Sequence, residues 1–422
     1  MWFSILAINI PNQYNYQQQE DGFNDRGDFI VNIGLFTDTY FPQVSGVATS
    51  IKTLRHELEK QGHQVYIFTT TDSHVEKDVY ERNIFRFPSV PFVSFTDRRI
   101  AFRGLLHAYQ LAKELNLDIV HTQTEFSMGM IGKFVARAMK IPCIHTYHTM
   151  YEDYLHYVAN GKILKPVHVK QMTLAFCSHL DGVVAPSERV IDKLSDYGVK
   201  APIRVIPTGI DLEQYEPDEN ELNVREKYHI PADAPMMLSL SRVAYEKNIK
   251  EIIDGFATIL EKIPNAYLMI VGDGPAKEDL EQQSHDLGLD DHVIFTGEIN
   301  NNEVSAFYHA TNLFVSASDS ESQGLTYIEA LASDKKIVVK SSPYTDDLLQ
   351  DPELGATFKT HDEMIEKMIY YLKHDKIADH TVLNQTLKQV SSETFGEQIV
   401  AFYRDAQLNY EEAHESSADV GN

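Results

Sequence analysis

Residues 318–332 read SDSESQGLTYIEALA. They follow NLFVSAS (312–318), an apolar run with the length of a buried strand, and lead into Leu325, Ile328 and Leu331 at helical spacing. A strand that turns through a polar, glycine-containing loop into a helix presents free backbone N–H groups and the positive end of the helix dipole. That arrangement suits a phosphate or a sugar hydroxyl. Glu321 and Glu329 lie about 80° apart around a helix axis and about 12 Å apart along it, so the two carboxylates can reach opposite ends of a long ligand. Taken alone, the same residues also fit a helix start whose acids offset its dipole.

The alternation around this stretch extends in both directions. Strand-like runs fall at 235–242, 266–274, 293–299 and 335–341, separated by helical patterns near 248–262, 276–288 and 302–310. The first half repeats the scheme, with strands at 31–36, 64–69, 83–87, 118–121, 142–146, 181–185 and 203–207. Helices are expected near 46–61, 100–116 and 128–140 and through 151–180. Strands alternating with helices predict an α/β chain of two Rossmann-like, doubly wound parallel-sheet domains facing a cleft, with ligands outside the carboxyl ends of the strands. The expected divisions are a polar, poorly ordered extension (1–30), a first domain (31–207), a second domain (208–391), a helix (392–412) and an acidic tail (413–422).

Composition narrows the function. The 37 Lys+Arg against 62 Asp+Glu give a net charge of −25, which argues against a nucleic-acid partner. It leaves a membrane surface open, because local basic patches act within a Debye length. Cys143 and Cys177 provide no disulfide framework, which points to a reducing cytoplasm. The apolar opening MWFSILAINI lacks a basic leader and a small-residue cleavage site, so it is not read as a signal peptide. No run reaches membrane-spanning length, so any membrane association is expected to be peripheral.

Several loops at strand ends carry chemistry. TDTYFPQVSGV (37–47) puts Gly46 at a helix start, where backbone can approach an anion. SLSRVAYEKNI (239–249) places Arg242 and Lys247 just past a strand; two cations there oppose the helix dipole, a conflict that favours a diphosphate clamp. VGDGP (271–275) ends the next strand with two glycines. His121 closes DIVH, a position that also fits a packed core histidine. IHTYHTMYEDYLHY (144–157) is rich in histidine and tyrosine and suits an acceptor pocket walled by His145, Tyr147, His148 and Tyr151. His145 and His148 have a short metal-like spacing without the accompanying ligands of a zinc site, so no metal site is expected. Between Asp153 and Asp181 there is no acidic residue, while Lys162, Lys165 and Lys170 stand among apolar side chains; FTDRRIAFRGLLHAY (95–109) is similar, with Arg98, Arg99 and Arg103. Both segments suit an interface with anionic headgroups, and both fit half-buried helices with solvated cations.

Together these motifs resemble the retaining glycosyltransferases of the GT-B fold, family 4, whose signature pairs two glutamates eight positions apart. The resemblance implies that Arg242 and Lys247 bind the donor diphosphate and that Gly46 lies beside it. It places Glu329 on the ribose hydroxyls and Glu321 on the sugar ring, with the backbone of Gln323, Gly324, Leu325 and Thr326 holding phosphate and sugar. It gives His121 a polar contact near the sugar, and it brings the 392–412 helix back onto the first domain. Much of the family has phenylalanine where Gln323 stands. That departure, with TDTYFPxxSGVATSI and HTYHTxYExY, resembles bacterial enzymes that glucosylate diacylglycerol. The implied reaction moves glucose from UDP-glucose to the 3-hydroxyl of 1,2-diacylglycerol with retention, without a metal ion in the catalytic step, on the inner face of the cell membrane. Other acceptors (a glycolipid, a polysaccharide or a protein), a sugar-phosphate enzyme on the same fold such as an epimerase or phosphorylase, and a non-catalytic membrane scaffold are the alternatives. Relatives typically begin Met-Asn-Ile-Gly-Leu-Phe, so Val31 is expected to mark a start codon read here as valine.

Overall fold

The computed structural model describes residues 29–43, 45–72, 81–92, 95–101, 104–152, 165–218, 222–319, 321 and 323–419. The expected disorder of the extension and the lysine at 162 therefore lie outside the described residues, apart from Phe29 and Ile30.

Nine strands belong to the first half: β1 (Asn32–Phe36), β2 (Gln64–Thr70), β3 (Ile84–Phe87), β4 (Ser89–Phe92), β5 (Phe95–Ala101), β6 (Ile119–Thr122), β7 (Cys143–Thr146), β8 (Gly182–Ala185) and β9 (Ile203–Val205). Seven form a parallel sheet in the order β3-β2-β1-β6-β7-β8-β9, and β4 and β5 make an antiparallel hairpin. The helices are α1 (Gly46–Lys60), α2 (Leu105–Glu114), α3 (Ser127–Met139), α4 (Pro166–Cys177) and α5 (Glu188–Tyr197). The second half contributes β10 (Met236–Leu240), β11 (Tyr267–Val271), β12 (Val293–Gly297), β13 (Leu313–Ser316), β14 (Lys336–Lys340) and β15 (Gly355–Phe358), all parallel in the order β12-β11-β10-β13-β14-β15.

Both sheets are covered on both faces, which is why their strands read as continuous apolar runs. In the second sheet the side chains alternate between two cores. Leu268 and Ile270 join the layer under the helix Ile249–Lys262, while Met269 and Val271 join the layer under the helix Leu325–Ala332. The expected α/β fold of two parallel sheets is therefore present.

Two expected helices differ. The helix expected through 151–180 is interrupted, since Lys165 is extended at φ −116° and ψ 159° and α4 spans only Pro166–Cys177. A helix is expected from about residue 100, but Ile100 and Ala101 belong to β5, and α2 starts only at Leu105. Gly104 separates them at φ +116°, with the Phe87 ring 2.4 Å from where its Cβ would stand. FTDRRIA has no two-residue alternation of its own, and it is strand because it pairs antiparallel with Ser89–Phe92. Arg99 serves the hairpin, its Nε donating to Ser89 Oγ at 2.9 Å.

The closing helix, Ser392–Asp419, lies against the first sheet. The Phe402 ring stands 2.5 Å from where a Gly182 Cβ would be, and Arg204 sits over the same ring while pairing with Asp405 at 2.5 Å. Among the described residues no helix is long and apolar enough to cross a membrane.

Candidate functional site: two switch points facing each other

Strand order reverses at β1/β6 in the first sheet and at β10/β13 in the second. Loops leaving neighbouring strands in opposite directions open a crevice there, the usual ligand position in such sheets. The loops after β10 and β13 carry Arg242, Lys247, Glu321 and Gln323. Those after β1 and β6 carry Gly46, Gln123 and Glu125.

On the second sheet, Gly272 (φ +128°) and Gly274 (φ +157°) bring the VGDGP turn under residues 241–243; a Cβ on either would lie 2.0 or 2.3 Å from the carbonyl oxygens of Ser241 and Val243. Those glycines seat the loop that presents Arg242, which is exposed. Lys247 ends the same loop, and its Nζ meets Glu321 Oε1 at 2.5 Å, the two side chains being 15% and 23% exposed. Asn248 ties the loops together, donating to Ala317 O at 3.1 Å and Asp319 Oδ2 at 2.6 Å. Burial opposes the charge on Glu321, but Lys247 outweighs it and holds the carboxyl below the usual range.

The helix bearing Glu329 begins at Leu325 after Gly324, which stands at φ +71° and offers no side-chain cap. The N–H groups of its first turn, Thr326 among them, thus receive no side-chain cap and face the loop. Glu329 accepts from Tyr308 Oη at 2.8 Å and is also bonded by Tyr215. Burial raises its pKa despite both tyrosines. With Leu325 and Tyr215 it lines a cavity of about 240 Å³, whose opposite wall is Thr49, Lys52 and His56 of α1. The two glutamates thus serve different surroundings, Glu321 beside a cation and Glu329 in a cavity between the domains.

Gly46 opens α1, and among the described residues nothing lies within 4 Å of where its Cβ would be. Packing among the described residues therefore does not require that glycine.

Three expected placements, those of His121, His145 and Tyr147, are corrected. His121 is wholly buried: its Nδ1 lies 2.8 Å from Tyr403 Oη and its Nε2 2.7 Å from Thr146 Oγ1, so neither nitrogen reaches the cleft. Burial, with His145 and His148 nearby, drives its pKa well below the ordinary value, leaving it neutral. His145 and Tyr147 are likewise core groups, 0% and 1% exposed. His145 sits 3.2 Å from Glu125 Oε1 and 3.0 Å from Thr122 Oγ1, and Tyr147 packs toward Thr173. Gln323, expected to act through its backbone, is not among these: its side chain bonds the backbone of Thr208, in the linker between the domains, with both contacts at 2.8 Å.

His148 and Tyr151 are half-buried. They reach two residues the sequence reading missed: His148 Nε2 donates to Gln123 Oε1 at 2.8 Å, and Tyr151 donates to Glu125 Oε2. Gln123 is 2% exposed, and its Nε2 has no partner among the described residues. Both stand directly after β6 at the switch point, which was the signal available for finding them. Of the basic residues, Lys165 is exposed and Lys170 donates to Asp196 O at 3.0 Å.

The family model described as Glycosyltransferase Family 4 matches residues 44–214, and that described as Glycosyl transferases group 1 matches 220–388. The chain is similar to an alpha-monoglucosyldiacylglycerol synthase of Streptococcus pneumoniae, 48% identical over 89% of this chain and 86% of the relative. A protein of the same description from Acholeplasma laidlawii is 30% identical over 89% and 97%. Among solved structures, sucrose-phosphate synthase of Thermosynechococcus elongatus superposes with a TM-score of 0.71 at 19% identity, covering 89% of this chain and 98% of that one. Anabaena HepE in complex with UDP gives 0.68 at 18%, covering 88% and 98%. These two likenesses speak to the fold. Two parallel sheets meeting at their switch points, matched over 44–214 and 220–388 by two family models and over most of the chain by relatives, make the chain a glycosyltransferase of the GT-B type, its first half of Glycosyltransferase Family 4 and its second of Glycosyl transferases group 1.

Proposed function

We propose that the chain transfers glucose from UDP-glucose to the 3-hydroxyl of 1,2-diacylglycerol with retention, making an α-linked glucosyl lipid at the cytoplasmic membrane surface. The observation that carries the reading is the shared description of two relatives, one 48% and one 30% identical, each matched over most of its length.

In this reading the nucleotide lies along the second sheet's switch point. Glu329, already gathered between two tyrosines, takes the ribose hydroxyls. Arg242 and Lys247 take the diphosphate, aided by the uncapped N–H groups of Leu325 and Thr326. Charge grows on the diphosphate as the glycosidic bond breaks, and fixed cations and N–H dipoles stabilise it without reorganising. The Lys247–Glu321 contact must loosen as the donor enters: phosphate oxygens take the ammonium, and Glu321 becomes available to a sugar hydroxyl. Across the cleft, the unpartnered amide of Gln123 supports a ligand hydroxyl at that point, with His148 fixing the amide's orientation. No step here needs a metal ion, so turnover is expected to persist in EDTA.

The membrane part of the proposal rests on α2, α3 and α4. Leu105, Leu106, Met130, Phe134, Val167 and Met172 are all exposed on these three consecutive helices. α3 packs against α2, and Lys133 reaches from α3 to the carbonyls of Phe176 and Ser178 at the end of α4. Exposed apolar side chains on helices that also carry Arg137, Lys165 and Lys170 suit a peripheral contact with anionic lipid. The test is to assay UDP-glucose and UDP-galactose against diacylglycerol and glucosyl-diacylglycerol in vesicles, with and without EDTA. Glucosyl-diacylglycerol should form only from UDP-glucose and diacylglycerol; turnover confined to another pair removes the proposal.

A further inference from the structure

Gln323 lies between the donor glutamates, yet its side chain points away from them to the linker joining the domains. It is 3% exposed. Its Oε1 accepts from the N–H of Thr208 and its Nε2 donates to the carbonyl of Thr208, both at 2.8 Å. A primary amide meeting a peptide group in this way reproduces the paired bonds between neighbouring strands, with donor and acceptor both used. Glutamate lacks the donor, leucine lacks both groups, and asparagine is one methylene short.

Thr208 occupies the crossing itself. Two residues before it, Ile206 N donates to Ala185 O at 2.9 Å and finishes the first sheet. Two residues after it, Ile210 exchanges backbone bonds with the other crossing, donating to Val390 O at 3.0 Å and accepting from Ser392 N at 2.8 Å. Gly209 leaves no room for adjustment, since a Cβ there would stand 2.5 Å from Ser391 O. Thr208 Oγ1 also lies 3.4 Å from Ser50 Oγ of α1. A torsional change at 207–209 that reorients the domains must therefore break both Gln323 bonds or carry Gln323 with it.

The donor loop has a second hold on the first domain. Arg189 of α5 donates to Glu321 O at 2.8 Å and to Asp319 O at 3.3 Å. Asp319 and Glu321 are thus bonded from α5 and Gln323 from the linker, while Lys247 and Asn248 hold Glu321 and Asp319 from their own domain. Glu321 stands in the middle of that span.

We propose that Gln323 is a positioning residue that sets the donor loop, and with it Glu321, by the conformation of the interdomain linker, so that the sugar site is complete only in one arrangement of the two domains. This rests on the donor-site reading above for what the loop binds; the coupling itself rests on the bonds to Thr208.

The experiment uses the full chain with Gln323→Glu and Gln323→Leu. The leucine variant is expected to bind UDP-glucose about tenfold more weakly by calorimetry, the cost of one buried peptide group losing its partner, and to change its small-angle scattering profile in the absence of UDP-glucose. The glutamate variant supplies the readout that a general packing role would not move. Ionised, its carboxylate faces the Thr208 carbonyl; protonated, it regains a donor. Its kcat/KM for UDP-glucose, relative to the unaltered protein, should rise as pH falls through the new group's pKa, and its scattering profile should converge on that of the unaltered protein. If the leucine variant does not fold, the glutamate variant decides alone. A glutamate variant whose pH profile and scattering parallel the unaltered protein overturns the proposal, as does a folded leucine variant with unchanged UDP-glucose affinity. If the unaltered protein shows no UDP affinity, the donor reading fails, and scattering of the two variants still decides the coupling.

Discussion

Replacing Lys247 by alanine removes the cation from Glu321 and leaves a carboxylate most of whose surface is out of water. A fully buried pair broken in this way costs about 3–5 kcal/mol, and an exposed pair about 1 kcal/mol or less. With the two side chains 15% and 23% exposed, water still screens part of the pair, so about 2 kcal/mol is the reasoned loss after that discount. In a domain of this size that lowers Tm by roughly 4–8 °C. Glu321→Gln alone should cost less, because Lys247 can turn to solvent. The double variant should recover about 1 kcal/mol relative to Lys247→Ala, since no unpaired carboxylate remains. The pKa of Glu321 is depressed, so the pair stabilises the protein above the unfolded carboxyl range, and this contribution disappears as pH falls through the folded value. The Tm of the unaltered protein and of Lys247→Ala should therefore converge on acidification. Kinetically, losing one charge at the leaving diphosphate should lower kcat/KM by roughly a hundredfold or more. Thermal unfolding and initial rates across the four proteins test this. Strict additivity, with the double variant less stable than Lys247→Ala by the full Glu321→Gln decrement, would refute the reasoning.

Three further outcomes are expected. Glu329 has a raised pKa, so its ionised form costs folding energy once pH rises through the folded value; Glu329→Gln should be more stable by about 0.5–2 kcal/mol near neutral pH, while KM for UDP-glucose rises, and a lower Tm there contradicts the assignment. His121→Phe leaves Tyr403 and Thr146 without their buried partner and should lower stability by about 1–3 kcal/mol while UDP affinity, measured by calorimetry, stays within about threefold of the unaltered protein; a large affinity loss without a Tm change would return His121 to the donor site. Leu106→Asp combined with Met130→Asp removes two side chains that are 70% and 55% exposed and should weaken sedimentation with anionic vesicles by about tenfold or more. Unchanged sedimentation would move the membrane contact elsewhere.

The sheets were legible because strands covered on both faces must be apolar throughout, and the loops following 240 and 316 could be placed at strand ends from that alone. The same property hid the roles of His145 and Tyr147. In a strand buried on both sides and in the turn that follows it, nothing in the spacing says which side chains face the core and which face the cleft. His121 carried the same ambiguity, settled only by Tyr403, which approaches from 282 residues away. The tyrosines beside Glu329 and the linker beside Gln323 are likewise distant in sequence, and Gln123 was legible only by its place after β6. The hairpin at 89–101 was missed because its second strand, FTDRRIA, lacks a strand's two-residue alternation and its apolar end leads straight toward α2.

The position of the closing helix bears on how the chain is made. His121 needs Tyr403, Gly182 makes room for Phe402, and Arg204 pairs with Asp405, so the first sheet is completed by residues synthesised after the whole second domain. A ribosome emitting this chain releases the second domain with all its strands, β10 to β15, while the first still lacks a helix. The second domain can therefore fold during synthesis, and the first must wait for the last residues to emerge. Loss of the chain's final thirty or so residues would accordingly strike the domain made first.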